Sequence, residues 1–204
     1  MATRETLRLF LAVFPPPGVQ RAAAAAIDAL RSTAGGRGVS WVRRENLHFT
    51  LRFLGELGAD GARRAGEAAR GAAAAQAAFD ATLADLGAFP DAARARVLWL
   101  GMREGGEALV ALARSLDAAL RSQGFGRADK PFAPHLTLGR VRERDADWRQ
   151  ALAAAPPAPA AFRVEALALV KSTLSPGGSR YETLVSAPLA AAPPAHRAPP
   201  APPA

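Results

Sequence analysis

The sequence contains no cysteine, which excludes disulfides, thiolate nucleophiles and thiolate zinc sites and leaves the redox compartment unspecified. It has two lysines, Lys130 and Lys171, so its formal net charge of +8 rests almost wholly on arginine. An arginine-weighted positive surface suits a phosphate-bearing partner such as RNA. Genomic composition bias, which also accounts for the abundant alanine, explains the arginine equally well. No run of about 18 or more large apolar residues is present, and the opening residues carry Arg4, Glu5 and Arg8 without a signal-peptide apolar region. The expectation is a cytoplasmic protein that does not enter a membrane. Histidine is scarce as well, with three in 204 residues.

Two of those three open the same four-residue pattern: His48-Phe49-Thr50-Leu51 within NLHFTLRFLGE, and His135-Leu136-Thr137-Leu138 within FAPHLTLGRVR. On a strand, successive side chains point to opposite faces. His48 and Thr50 then share one face while Phe49, Leu51 and Phe53 share the other, and His135 and Thr137 repeat the arrangement. Each copy buries its apolar face and presents an imidazole beside a hydroxyl.

The chain is long enough, and at 50% hydrophobic apolar enough, for one sizeable core, read as a single domain of two lobes. Leu7 to Phe14 is apolar on both faces and reads as a buried central strand. A helix is predicted over Val19 to Thr33, between Pro15–Gly18 and Gly35-Gly36. Trp41 and Val42 lead into the first histidine strand, which closes at Gly55. Asp60 is the expected cap of a second helix reaching about Ala78, with Phe79 to Leu86 a strand. The same order then recurs: strand Val97 to Met102, a helical stripe of Leu109, Leu112, Leu116 and Leu120 ending at Gly124, the histidine strand Phe132 to Val141, a short helix capped by Asp145 with Trp148 and Leu152 on one face, and a strand Phe162 to Ser172. The units span about 7–90 and 96–172. Turn chemistry at Ser175 to Ser179 adds a hairpin between Leu167–Leu174 and Tyr181–Val185, ending near 186. From Ala187 to Ala204 an Ala/Pro-rich tail lacks any core-forming pattern and is expected to be disordered.

Side-by-side His-x-Thr strands across a cleft let both imidazoles flank one ligand. With unperturbed pKa values of about 6.5, one neutral and one charged histidine form an acid and base pair near neutral pH. Thr50 and Thr137 then bond phosphoryl oxygens, which is the two-sided geometry that in-line displacement at phosphorus requires. Two histidines without a fitting carboxylate cluster fall short of a zinc site, so no metal and no cofactor are expected. His196 in the tail is incidental. The glycine-containing stretches at 35–38 and 126–130 lack phosphate-loop spacing.

The paired motifs resemble those of the 2H phosphoesterase superfamily, in particular its RNA 2',3'-cyclic phosphodiesterases, also called 2'-5' RNA ligases. RLFLAVF, RVLWLGM and STLSPGGSRYETL extend the similarity to about Val185. The resemblance implies a bilobal, pseudo-symmetric α+β fold with largely antiparallel sheets around a central cleft. It also implies metal-free hydrolysis of a terminal 2',3'-cyclic phosphate to a 2'-phosphomonoester, with reversible 2'-5' ligation in some members. The partners would be RNA ends or small cyclic-phosphate nucleotides, handled by a monomer without an obligate protein partner. By position His48 corresponds to the proton donor and His135 to the acceptor, Thr50 and Thr137 to phosphate contacts, and Arg140 to an arginine that follows the second motif.

Strict alternation puts Arg140 on the face of Leu136 and Leu138, so its reaching the cleft requires a bulge or a strand end. Arg52, on the His48 face, is the competing anion contact. Ser172, Arg180 and Tyr181 are candidate cleft-lining residues, with hairpin packing as the plain alternative. Trp41 and Trp99 read as core, although an aromatic near the cleft would stack a terminal base. A non-catalytic module that grips RNA ends is the rival reading, separable by turnover.

Overall fold

The computed structural model describes residues 6–33, 38–142, 147–155, 157, 159–176 and 178–191. Strand β1 (Leu7–Val13) is central because both its faces are apolar: Leu9, Leu11 and Val13 enter the main core, while Phe10 and Ala12 pack with Ala168 and Val170 in a smaller cluster. Helix α1 (Pro17–Arg31) begins with proline in its first turn and buries Val19, Ala23, Ile27 and Leu30 at helical spacing. Strand β2 (Val39–Trp41) is separated by a 3-10 turn at Arg44–Asn46 from β3 (Phe49–Leu57), so Trp41 and Val42 do not run on into the histidine strand. Next in the chain come α2 (Ala59–Ala74), β4 (Phe79–Phe89), β5 (Val97–Glu104), α3 (Gly106–Ser122), β6 (Leu136–Val141), α4 (Arg149–Ala154), β7 (Ala160–Val164), β8 (Ala166–Ser175) and β9 (Gly178–Pro188).

The strands form two sheets, ordered β3-β1-β8-β9 and β2-β6-β5-β4-β7, with every strand pairing antiparallel. This is the α+β arrangement of antiparallel sheets expected from the sequence. The two halves of the chain interlock, since β4 crosses to pair with β5 and β8 returns to pair with β1. Phe49 of the first sheet stacks on Phe162 of the second at 6.3 Å, so one apolar interior joins both sheets.

Three expectations are corrected. The apolar run Phe162 to Ser172 is two strands: the chain leaves β7 in one sheet and enters β8 in the other at Glu165. The second helix stops at Ala74 rather than near Ala78, and β4 continues to Phe89. The tail does not begin at Ala187: β9 runs through Pro188, Ala187 and Leu189 are buried, and Ala190 bridges Ala77. Asp145, the expected helix cap, and the tail from 192 onward, including His196, lie outside the described residues. Trp148 occupies the α4 cap position instead and is buried against Trp41. Among the described residues no helix is long and apolar enough to cross a membrane.

Candidate active site

His48 and His135 sit immediately before the first residues of β3 and β6, which belong to different sheets and run close together. The apolar positions of both motifs, Phe49, Leu51, Leu136 and Leu138, are buried and anchor each strand end. Each imidazole Nδ1 meets the carbonyl two residues earlier at 2.7 Å, Asn46 for His48 and Ala133 for His135. A carbonyl only accepts, so Nδ1 carries the proton and Nε2 is the nitrogen left to meet another partner on both rings. Thr50 Oγ1 lies 2.8 Å from His48 Nε2, which brings that hydroxyl to the ring's second nitrogen. Asn46 is in turn held by donating from Nδ2 to the Ser179 carbonyl at 2.8 Å, so the C-terminal hairpin braces the first histidine.

Register puts the two arginines on different faces. Along β1 and β3, Ala12 faces Thr50, Leu11 faces Arg52 and Phe10 faces Phe53, with Gly55 next on Leu9, so Leu51 and Leu54 are left over as bulges. Along β5 and β6, Trp99 faces Thr137, Leu98 faces Gly139 and Val97 faces Arg140, leaving Leu138 over. The fourth residue of each motif is therefore a bulge, and each bulge reverses the facing of the residues after it. Arg140 joins Thr137 on the cleft side, as the competing geometry required. Arg52 is turned away: its Nη1 pairs with Asp117 Oδ1 at 2.8 Å and its Nη2 donates to the Gly126 carbonyl at 2.7 Å. Phe53, assigned by strict alternation to the buried face, instead lies 5.9 Å from Phe10 and is 60% exposed. The close approach of β2 demands glycine beside Arg140, because a Cβ on Gly139 would lie 2.6 Å from Val39 Cγ1 and 2.9 Å from Trp41 Cε3.

Aromatic rings wall both histidines. Phe10, Tyr181 and Phe14 stand 4.9, 5.3 and 5.6 Å from the His48 ring, and Phe89 stands edge-on to His135 at 5.0 Å. Phe89 leans on Trp99 at 5.1 Å, whose indole covers Gly87; a methyl there would overlap the ring. Burial among these rings is the main reason that His48 has a pKa below its ordinary value. The Asn46 hydrogen bond opposes this, and the charges of Arg140 and His135 add to the lowering, so both groups are close enough to be felt at His48.

Of the hairpin candidates, Tyr181 is brought to His48 and Ser172 is its cross-strand partner, whereas Arg180 pairs with Thr173 and is exposed on the alternate position. Phe10, Phe89 and Asn46 were not singled out from sequence; the phenylalanines resemble ordinary core residues, and the Asn46 contact spans 133 positions. Among the described residues no group of three or more His, Asp or Glu is clustered so as to hold a metal.

A two-sheet α+β scaffold presenting paired His-x-Thr motifs from facing strands defines the 2H class of phosphoesterase. Residues 16–175 match the model of the 2'-5' RNA ligase superfamily, and the chain belongs to that family. It is 34% identical over 178 residues to the RNA 2',3'-cyclic phosphodiesterase of Methanothermobacter thermautotrophicus, covering 86% of this chain and 95% of that one. It is 35% identical over 155 residues to the protein of the same name from Geobacillus stearothermophilus, covering 76% of this chain but about half (49%) of that longer relative. Escherichia coli LigT, solved with 3'-AMP, superposes with a TM-score of 0.73 at 31% identity over 91% of this chain and 99% of that one.

Proposed function

We propose that the protein opens the terminal 2',3'-cyclic phosphate of RNA in the cytoplasm, leaving a 2'-phosphomonoester. The observation that carries this reading is the matched setting of the two histidines: each has Nδ1 pinned by the carbonyl two residues back and each stands at the start of its motif strand, with His48 Nε2 at 2.8 Å from Thr50 Oγ1. One imidazole can then serve each side of a phosphorus. In the family's assignment His135 Nε2 takes a proton from the attacking water. The water oxygen bonds to phosphorus, the P–O3' bond breaks, and His48 delivers its proton to O3'. Thr50, Thr137 and Arg140 donate to the non-bridging oxygens as their charge develops. Exposed Phe53 beside Phe10 offers a face on which the terminal base stacks.

Burial disfavours the charged form of His48 in the free protein. The phosphate anion supplies the opposite charge that restores it, so protonation of the acid is coupled to substrate binding. Every step uses imidazole, hydroxyl and guanidinium groups of this chain, so the reaction is metal-free. The test is incubation with an oligonucleotide ending in 2',3'-cyclic phosphate, followed by identification of the product isomer. A 2'-phosphate product supports the reading, and a retained intact cyclic end would identify a binding module instead. Supplying a 5'-hydroxyl acceptor in the same assay reads out 2'-5' joining, the same displacement with that hydroxyl in place of water.

A further inference from the structure

The bulge that turns Arg52 away from the cleft opens a second feature. On the opposite side of β3, between α3 and the segment that leads into His135, lies a pocket of about 410 Å³. Its floor is apolar, made by Leu51, Val110, Ala113 and Phe132, and its rim carries five cations against two carboxylates, Asp117 and Asp129. Asp117 is engaged by Arg52 at 2.8 Å and Arg121 at 3.4 Å, and accepts the Ala128 N–H at 3.1 Å, which fixes the shape of the rim. No ion pair among the described residues involves Arg114, Arg127 or Lys130, all three exposed on that rim. Unpaired cations around an apolar floor with an aromatic ring are the features that bind single-stranded nucleic acid: phosphate on the rim, base on the ring.

Position connects the pocket to the cleft. Thr50 faces the cleft and its neighbours Leu51 and Arg52 line the pocket, so the two are separated by the thickness of one strand, and β3 is the edge of its sheet. Phe132 is three residues from His135, a separation of at most about 11 Å along extended chain.

We propose that this pocket is a second nucleotide subsite that takes the base and phosphate of the residue 5' to the cyclised end, making RNA strands rather than cyclic mononucleotides the preferred substrates. The proposal rests on the cyclic-phosphate reading above. The measured quantity is the ratio of kcat/KM for a tetranucleotide ending in 2',3'-cyclic phosphate to that for the cyclic mononucleotide. In the wild type the ratio exceeds one and falls with salt; in the variant Arg114→Ala/Arg127→Ala/Lys130→Ala it drops toward one. The slope of log(kcat/KM) against log[salt] for the tetranucleotide becomes shallower by about 0.7 for each phosphate lost. Because all three side chains are exposed, circular dichroism and Tm check that the variant is folded, and the single variant Arg127→Ala supplies an intermediate ratio.

A wild-type ratio of one, or a variant that keeps the ratio and slope, overturns the proposal. If neither substrate is turned over, the cyclic-phosphate reading fails by itself. The pocket is then judged by anisotropy of a labelled tetranucleotide with a 3'-phosphate, whose affinity must be lower in the triple variant. If the triple variant loses ATP binding while tetranucleotide binding is retained, the pocket serves free nucleotides and the strand proposal is wrong; capture of an acidic peptide in its place would also overturn it.

Discussion

The two bulges make the roles of Arg52 and Arg140 separable by one pair of substitutions. Arg52→Ala removes a guanidinium whose side chain is 15% exposed and whose partner Asp117 is 27% exposed. Asp117 then retains only Arg121 at 3.4 Å and the Ala128 N–H, and the Gly126 carbonyl loses its donor. Leaving the partly buried Asp117 under-bonded costs about 1–3 kcal/mol, whereas the exposed Gly126 carbonyl can turn to water. For a chain of this length each kcal/mol lowers Tm by about 2–4 °C, so a fall of about 2–12 °C is expected. Turnover measured well below that transition should stay within a few-fold of wild type on a cyclic mononucleotide. Arg140→Ala should do the reverse. Its side chain is exposed and outside the ion pairs of the described residues, so Tm should move little. Loss of one donor to the developing phosphoryl charge should lower kcat by about 10²–10³. Differential scanning fluorimetry and initial rates on the same preparations suffice. An Arg52 variant with unchanged Tm and a hundredfold rate loss, or an Arg140 variant with wild-type rates, would refute the assignment of faces.

Burial holds His48 below its ordinary pKa. Its stabilising contribution is therefore complete above about pH 6.5 and is lost as pH falls through the folded-state value, because the unfolded chain binds the proton first. Tm should drop between pH 7 and pH 5, and less steeply for His48→Gln; parallel slopes would remove the claim. Truncation after Ala191 should leave Tm unchanged, whereas truncation after Pro188 removes buried Leu189, for which a loss of about 2 kcal/mol or more is expected; equal melting of the two would contradict that burial. Activity should survive EDTA, and loss restored by zinc or manganese would reject the imidazole mechanism. On a nitrophenyl phosphodiester, whose leaving oxygen needs no proton, His48→Ala should recover much of its lost rate while His135→Ala stays severely impaired; rescue of His135→Ala instead would exchange the two roles.

The parts of this fold legible in the sequence are those fixed by local pattern. Leu7 to Val13 announces a two-faced central strand, the leucine stripe of α3 announces its helix, and the repeated His-x-Thr pattern identifies two strand ends that reach one cleft. The parts that could not be read were set by register between strands distant in sequence. Nothing in VEALALVKS marks Glu165 as the residue where the chain changes sheets, because both segments are apolar and only their partners, β4 and β1, differ. Ala187 to Ala190 gives no sequence signal of its own, yet Ala187 and Leu189 are buried there and the segment is held by Glu165 and Ala77, supplied by other elements.

The bulges are the instructive case, since period-two alternation sent Arg52 and Arg140 to the wrong faces by the same one-residue error. The leucine at the fourth position of each motif is buried in the core, and one residue of slack there reverses the side chains that follow, in β3 as far as the second bulge at Leu54. The same device yields different results in the two copies: it faces Arg140 to the cleft from β6, and Phe53 from β3. On the proposed reading the site is thereby asymmetric, with the Arg140 cation on one side to meet phosphate and the Phe53 ring on the other to meet a base. That asymmetry is what a substrate with a phosphate at one end and a nucleobase at the other requires.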